Sequence, residues 1–312
     1  MKIRQISPND PVTNIVLDAF EEEAPIFNDI EAYQVGGNAD SLEKAGDGKT
    51  QASIFRDINA HTERDRPTYG DVPVTKKIVS GDSGVDKVYE QRNGDVVSKL
   101  ESNTKRDAKE DAKVFRSKIW TGDSASESTE IDGIHTLTPA GRIETLDEAI
   151  ILPLGGDAAK QYQQEFFEKF ILTHVNMPWQ EFFAYMPESW TLRLVTAAKN
   201  LGYYKEIDTP VGKAGKIGKA IIKSYGYDAA GNELFAPADQ EVPGSNLTST
   251  FTYVKWGEEE NLTCATSRGM VGEYLGLVKK TYTNTWDFDA NLVLQNEKAL
   301  YQIKGFGLKF PA

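Results

Sequence analysis

The amino-acid sequence predicts an α+β fold, because its helix-type and strand-type segments are separated along the chain. Helix patterns lie between about residues 95 and 201, whereas residues 203–312 are mainly strand-like. A chain that alternated strand and helix would instead predict a parallel α/β sheet. Hydrophobic residues make up 39% of the 312 residues, which is enough to fill a substantial core. We therefore expect one large domain or two interleaved domains.

The N-terminal segment, residues 1–45, contains two short apolar islands separated by acidic runs. It predicts an arm that packs against another surface and is not an independent domain. Residues 46–95 are rich in Gly, Asp, Lys and Arg, and their β-prone pieces PVTKKIVS and DKVYE predict an extended hairpin. A lone hairpin is marginally stable in water, so we expect this one to pack against another surface as well.

The clearest helix is predicted from about Asp95 to Trp120. A narrow apolar stripe runs along it, with lysines and aspartates on the opposite face. The stripe consists of Leu100, Ala108, Ala112, Phe115 and Ile119. At a rise of 1.5 Å per residue, such a helix is roughly 35–40 Å long. The narrow stripe predicts that one side contacts a core and the rest meets water or neighbouring subunits.

Two more helices are predicted after a loop-like region, residues 121–156. Asp157 is a candidate N-cap for the first, whose aromatic stripe is predicted to be core. That stripe contains Tyr162, Phe166, Phe167, Phe170 and Ile171. The other helix is predicted from about Glu188 to Leu201 and ends at Gly202. Its expected buried face is formed by Leu192, Val195, Ala198 and Leu201.

Composition excludes several classes of function. The chain has 35 basic and 47 acidic residues, and its net charge of −12 argues against nucleic-acid binding over the whole surface. Its single cysteine excludes an intrachain disulfide and a cysteine-based zinc cluster. The N-terminus has no apolar signal region, and no apolar run approaches ~18 residues. We expect a soluble, intracellular protein with no membrane contact.

Three sequence motifs resemble catalytic or ligand sites, and each lacks residues that such a site requires. Ser124, Asp132 and His135 suggest a hydrolase triad, but no G-x-S-x-G elbow surrounds the serine. VGKAGKIGKA, residues 211–220, lacks the first glycine and the final Ser or Thr of a phosphate loop, so it predicts a flexible surface loop. WDFDANLVLQNE, from Trp286, lacks the glycine and the final Glu of a calcium loop and predicts a strand end with acidic turn residues. We assign no catalytic, cofactor-binding or metal-binding residue.

The stretch IWTGDSASESTEIDGI, residues 119–134, follows the long helix and offers several carboxylates and hydroxyls. Gly122 is predicted to end the helix in a left-handed cap, and Asp123 to turn the chain through hydrogen bonds to the backbone. Asp132-Gly133 predicts a second turn, with isoleucines on both sides as apolar anchors. The stretch therefore predicts architecture and not catalysis.

At this stretch the sequence resembles the major capsid proteins of tailed bacteriophages. The resemblance is carried by a long charged helix, then GDSA at residues 122–125 and IDGI at residues 131–134. It implies a phage major capsid fold with a spine helix and an inserted A-domain. The implied divisions are an N-terminal arm (1–35), an E-loop (36–92), a P-domain with the spine helix (93–175), an A-domain (176–272) and a return to the P-domain (273–312).

The resemblance implies a structural protein that is not an enzyme and needs no cofactor. It would self-assemble, in the host cytoplasm, into pentamers and hexamers of an icosahedral virion capsid around double-stranded DNA. Implied partners are copies of itself, then scaffolding, portal and decoration proteins, with packaged DNA bound only weakly and non-specifically. Three alternatives stay open: an encapsulin nanocompartment shell, which would need a cargo-docking groove; a carboxylate-dependent hydrolase; and a tail or decoration protein.

Charged residues in the predicted hairpin are the candidates for contacts between subunits. They are dense in a segment that has few apolar side chains of its own to bury. We expect inter-subunit pairs from Arg64, Arg66, Lys76, Lys77 and Asp82.

Overall fold

The computed structural model describes residues 1–35, 41–44, 70–92, 94–153, 159–209, 212–234, 241–242, 246–258 and 261–309. The helices of these ranges are α1 (Ile3–Ile6), α2 (Pro11–Glu23), α3 (Ile26–Asp29), α4 (Lys87–Gln91), α5 (Val96–Thr121), α6 (Ile134–Leu137), α7 (Ala159–Thr173) and α8 (Glu188–Leu201). The strands are β1 (Ala32–Gln34), β2 (Ser41–Lys44), β3 (Gly70–Pro73), β4 (Lys77–Asp86), β5 (Ile143–Pro153), β6 (Phe182–Met186), β7 (Tyr204–Thr209), β8 (Gly212–Ile217), β9 (Ala220–Ser224), β10 (Glu241–Val242), β11 (Asn246–Val254), β12 (Leu262–Thr266), β13 (Met270–Val278), β14 (Thr281–Leu294) and β15 (Leu300–Lys309).

The α+β prediction is confirmed, because the strands form two mixed sheets with helices packed on them. One sheet has the order β1-β12-β14-β13, and β4 also pairs with β14. The larger sheet has the order β5-β15-β11-β6-β9-β8-β7, with β10 added beside β11. β2 and β3 form a separate antiparallel pair.

The long helix α5 forms as the sequence predicts. The Asp95 side chain accepts hydrogen bonds from the N–H groups of Val97 and Ser98, at 3.0 and 3.3 Å, and so caps the first turn. All five residues of the predicted apolar stripe are buried. Phe115 from this stripe packs against Phe20, Phe27 and Phe288, with ring centroids 5.9–6.0 Å apart. The helix therefore packs between the N-terminal segment and the smaller sheet, and the buried side chains of these three parts form the first hydrophobic core.

The N-terminal segment packs against another part of its own chain. Val16, Leu17 and Phe20 of α2 are buried in the first core. The Oγ1 of Thr13 accepts a hydrogen bond from the N–H of Gly272, at 2.9 Å, at the edge of β13. Helix α5 and strands β13 and β14, which follow much later in the chain, provide this surface. Nothing in the N-terminal sequence indicates it.

A second core lies between the larger sheet and helices α7 and α8. Phe166, Phe167 and Phe170 of α7 are fully buried, as predicted, but Tyr162 is 62% exposed, so its place in the stripe is wrong. The bounds of α8 are confirmed, and Gly202 takes the left-handed conformation with φ of 78°. The candidate N-cap Asp157 lies outside the described residues.

The predicted buried face of α8 is wrong at Leu192 only, since Ala198 is fully buried and Val195 and Leu201 pack against the second core. Leu192 is 63% exposed, whereas Trp190 and Leu194 are fully buried. The helix rotates to bury the tryptophan, whose large apolar surface outweighs that of a leucine.

Two local predictions are also corrected. DKVYE was expected to be β-prone, but its residues form α4, capped by the Asp86 side chain that accepts from the N–H of Val88. The stretch 211–220 was expected to be a flexible loop, but its described residues form β8 and the start of β9. These strands pair with each other, and β9 also pairs in parallel with β6, which lies far away in sequence.

The division into P-domain and A-domain stays a prediction, and the two cores divide the chain differently. Strands β5 and β15 and helix α7 belong to the second core, although the implied bounds assign them to the P-domain. In the implied E-loop, β4 pairs with β14 along ten residues and thus lies within the smaller sheet. Leu42 and Val74 pack against Ala265 and Val293 in a small third core.

Candidate assembly interface

The loop after α5 is held by direct contact between two glycine backbones. The N–H of Gly133 donates to the carbonyl of Gly122 at 2.8 Å. A Cβ on Gly122 would lie 2.3 Å from the Ile131 carbonyl oxygen, and one on Gly133 would lie 2.7 Å from the Trp120 carbonyl. The predicted left-handed cap is wrong, because Gly122 has φ of −59°. Glycine is required here because a side chain would collide with the neighbouring backbone, and not because the residue adopts a left-handed conformation.

The carboxylates of this loop are occupied by its own backbone and side chains. Asp132 Oδ1 accepts from the Ser124 N–H at 2.9 Å, and Asp123 Oδ2 accepts from the Ser126 hydroxyl at 2.7 Å. Hydrogen bonds, above all the one from Ser126, lower the pKa of Asp123. A lowered pKa keeps the carboxyl group ionised at neutral pH, which is unsuited to a general acid. The interpretation of this stretch as a pair of turns agrees with these contacts.

His135 is not placed to activate Ser124. Its ring is buried against Trp120 and Tyr225, and its Nδ1 lies 2.9 Å from Gln302 Nε2. Burial lowers the pKa of His135 to about 4. The serine, meanwhile, contacts Asp132 through its backbone amide. The triad considered from sequence is therefore not assembled in this geometry.

The calcium-like stretch, residues 286–297, contains the end of β14 at Leu294, as expected, but its acidic residues Asp287 and Asp289 lie within the strand and not in a turn. Asp289 accepts hydrogen bonds from the Thr266 hydroxyl and the Ser267 N–H, at 3.0 and 3.1 Å. Across the described ranges, no three His, Cys, Asp or Glu side chains are grouped so that they could hold a metal ion. No helix of the same ranges is long and apolar enough to cross a membrane.

The predicted inter-subunit residues are not gathered in one place. Arg64 and Arg66 lie outside the described residues. Lys76 Nζ hydrogen-bonds to Ser267 Oγ and lies 3.7 Å from Asp289 Oδ2, while Lys77 Nζ donates to the Ser128 carbonyl. Asp82 is exposed on β4. The inter-subunit role of all five residues stays a prediction, but both lysines already have partners in their own chain.

Reversing Lys76 to glutamate should therefore weaken the fold itself. The new carboxylate would face Asp289 at a site where the lysine side chain is only 19% exposed. We expect Lys76→Glu to cost about 2 kcal/mol of unfolding free energy. Asp82→Lys, an exposed reversal on the adjacent strand β4, is the control, with an expected change within about 0.5 kcal/mol. Urea denaturation of both variants checks this, and equal midpoints would contradict the Lys76–Asp289 pair.

A groove of about 380 Å³ lies between β4, α5 and the loop at residues 129–131. Val79, Phe115 and Ile131 contribute apolar surface to it, and Ile78 and Val114 stand exposed beside them. Lysines and acids line the same groove: Lys77, Lys118, Asp111 and Glu130. Burial, above all other causes, raises the pKa of Asp111. Sequence reasoning missed this groove, because its walls come from separate segments.

A buried polar group ties the N-terminal segment to the larger sheet. Asp29 Oδ2 accepts from the Tyr185 hydroxyl at 2.9 Å, and Asp29 Oδ1 lies 3.2 Å from Lys223 Nζ. Trp256 Nε1 donates to the same Tyr185 oxygen at 3.2 Å. Burial raises the pKa of Asp29, and Lys223 opposes that shift. These contacts join α3 to β6 and β9 of the larger sheet, and no sequence motif indicates them.

Exposed apolar side chains outside the groove lie at several separate places. On α8, Leu192 faces solvent; at the end of α7, Leu172 and Val175 do so as well. Another group occupies the far half of β13, at Tyr274, Leu275, Leu277 and Val278. Contiguous exposed apolar surface commonly marks interaction sites. The described chain thus presents several candidate contact surfaces rather than one pocket.

No protein-family model and no curated protein matches the sequence. Solved structures do show similar folds. The SrpI encapsulin complex from Synechococcus elongatus PCC 7942 has a TM-score of 0.55 at 9% identity, over 89% of this chain and 85% of that one. The virus-like particle from Pyrococcus furiosus has a TM-score of 0.51 at 9% identity, over 94% and 97%. The capsid of an empty gene transfer agent particle has a TM-score of 0.52 at 12% identity, over 88% of each chain.

Identities this low show the fold and leave the function to be argued. The match extends over most of both chains, from 85 to 97% of each. This chain has the capsid fold that phage major capsid proteins and encapsulins share.

Proposed function

We propose that the chain is a major capsid protein of the tailed-phage type. It self-assembles into pentamers and hexamers of an icosahedral head around double-stranded DNA, and assembly takes place in the host cytoplasm. The observation that carries the proposal is the extent of the fold match, over 94% of this chain and 97% of the Pyrococcus furiosus virus-like particle chain. Nearly the whole chain is thus accounted for by a shell-forming architecture.

The physical character of the chain supports the same proposal. A shell subunit must be stiff and must contact neighbours on several sides. The 26-residue helix α5, about 39 Å long at 1.5 Å per residue, spans the first core and provides stiffness. Exposed apolar side chains at the groove, at α7, at α8 and on β13 provide separate contact surfaces. The net charge of −12 repels packaged phosphates, so DNA would be held only weakly and non-specifically.

The groove beside α5 favours a second candidate, an encapsulin-type nanocompartment shell. Such a shell needs a docking site for its cargo, and this groove combines apolar lining with charged rims. The N-terminal segment also folds on its own core instead of extending away from it. Both candidates are closed shells of one repeated subunit, and they differ in what the shell encloses.

Expression of the chain, alone and together with its neighbouring genes, tests the proposal. Negative-stain electron microscopy should show uniform closed particles or rings of five or six subunits. Nuclease-protected DNA inside particles made with the neighbouring genes supports the phage head, whereas a co-purified protein cargo supports the nanocompartment. Co-expression also tests scaffolding, portal and decoration proteins as partners. A chain that stays monomeric in every combination would rule out both shells.

A further inference from the structure

The far half of β13 is an open sheet edge. β13 is the last strand of its sheet and pairs with β14. The near half of its outer edge is covered by the N-terminal segment, where Ser7 Oγ accepts from the Met270 N–H at 3.0 Å and Thr13 Oγ1 accepts from the Gly272 N–H at 2.9 Å. From Tyr274 onward, the structure places no such cover on the edge within its described residues. Exposed strand edges readily pair with other chains.

This open half carries large apolar side chains that the fold leaves in solvent. Tyr274, Leu275, Leu277 and Val278 are 54, 46, 43 and 43% exposed. Met270 and Gly272 in the near half, by contrast, are buried. The N-terminal segment thus covers only the first half of β13. The apolar side chains of the second half remain exposed to solvent.

The sequence of the open half is complementary to itself when two copies run antiparallel. It reads Glu273-Tyr-Leu-Gly-Leu-Val-Lys279. A two-fold axis through Gly276 sets Leu275 of one copy opposite Leu277 of the other. It also brings Glu273 near Lys279 of the other copy, which is the first residue of the turn after β13 and has φ of 58°. Neither the Glu273 nor the Lys279 side chain has a hydrogen bond or ion pair within the described part of the chain. Opposite charges and apolar pairs directly across from each other favour such a pairing.

The backbone sets a limit on this contact. The pairing of β13 with β14 shifts register between Tyr274 and Gly276, and Gly276 has φ of 75°. A bulge of this kind twists a strand and interrupts its hydrogen-bond ladder. We therefore expect side-chain packing over residues 273–279 and not a long continuous sheet between copies.

We propose that residues 273–279 form a two-fold contact with the same residues of a second copy of this chain. The contact rests on the proposed function, because closed shells of identical subunits contain two-fold axes between neighbours. Leu275, Leu277, Tyr274 and Val278 form its apolar centre, and the two Glu273–Lys279 pairs flank that centre and fix its register.

Charge exchange between Glu273 and Lys279 tests the contact. Glu273→Lys alone, or Lys279→Glu alone, places like charges opposite each other twice, and the yield of assembled particles should fall by about tenfold or more. The double variant Glu273→Lys/Lys279→Glu restores both pairs and should recover assembly. A mixture of the two single variants should also assemble, because each then finds its complement in the other. Glu101→Lys, an exposed reversal near the start of α5 and away from the contact surfaces named above, is the control and should leave the yield unchanged.

Sedimentation velocity and electron microscopy read out particles and dimers separately. Single reversals that assemble normally, or a double variant and mixture that fail to recover, would overturn the two-fold contact while leaving the shell proposal standing. If wild-type chains form no shell but do form a dimer that Glu273→Lys abolishes, the contact holds and the shell proposal fails. A wild-type chain that forms neither would overturn both.

Discussion

Gly133→Ala should destabilise the fold by about 3 kcal/mol or more, because its new methyl group would meet backbone on several sides. The added Cβ would lie 2.7 Å from the Gly122 nitrogen and from the carbonyl carbon and oxygen of Trp120. Backbone atoms cannot rotate away as a side chain can, so the end of α5 and the turn at residues 131–134 must separate. That movement would also expose Ile131 and Ile134, which are buried in the first core.

Gly141→Ala is the matched control for this substitution. A Cβ at Gly141 would meet nothing within 4 Å, and its expected effect lies within about 0.5 kcal/mol. Gly122→Ala is a second test, because its Cβ would lie 2.3 Å from the Ile131 carbonyl oxygen. Urea denaturation of the unassembled chain gives the three midpoints. If Gly133→Ala and Gly141→Ala unfold at the same urea concentration, the close glycine contact is not what holds this loop.

Acidification should destabilise the chain strongly between pH 6.5 and pH 4, because two buried histidines resist protonation. Burial lowers the pKa of His135 to about 4 and that of His174 to about 4, from an ordinary value of 6.5. The folded chain therefore binds fewer protons than the unfolded chain in this range. Stability is fully present above pH 6.5 and falls as the pH drops, by about 3 kcal/mol for each histidine.

The surroundings of each ring explain why it stays neutral. Gln302 lies beside His135 Nδ1, and Phe170, Phe182 and Tyr253 enclose the His174 ring. The buried Asp29 acts in the opposite direction, because a raised carboxyl pKa means that the folded chain takes up its proton more readily. Asp111, whose pKa burial also raises, acts in the same direction as Asp29. We expect the two histidines to dominate, so acid should weaken the fold.

Unfolding free energies measured from pH 7 to pH 4 check this, with His135→Gln and His174→Gln as non-titrating variants. Each variant should lose about half of the wild-type pH dependence across this range. An unchanged slope in both variants would contradict the assignment of acid sensitivity to these rings. Stability at pH 7 is compared separately, since either substitution also alters packing.

The elements that sequence predicts accurately are those with local signals. Asp95 caps α5, and its stripe spacing fixes both the length and the buried face. The end of α8 follows from Gly202, which takes a conformation that glycine favours. Where two signals compete, prediction fails at single residues: Leu192 of α8 is exposed, because the larger Trp190 is buried in the same helix.

The errors concern contacts between distant parts of the chain. Thr13 covers the edge at Gly272, 259 residues away, and the sequence does not indicate that the N-terminal segment packs on this part of its own chain. β9 pairs with β6, and this pairing turns an apparent lysine-rich loop into a sheet hairpin. Lys76 meets Ser267 and Asp289 for the same reason. Contacts of this kind join residues that are far apart in the chain, so no hydrophobic or polar periodicity within one segment predicts them.

Sedimentation velocity of the purified chain is the most direct test of a shell-forming subunit, because it reports assembled mass in solution. The capsid assignment predicts a fast, uniform boundary from closed particles, or boundaries at five and six subunits that convert to particles when partner genes are co-expressed. A single slow boundary of monomer at every concentration, with and without those partners, would contradict it.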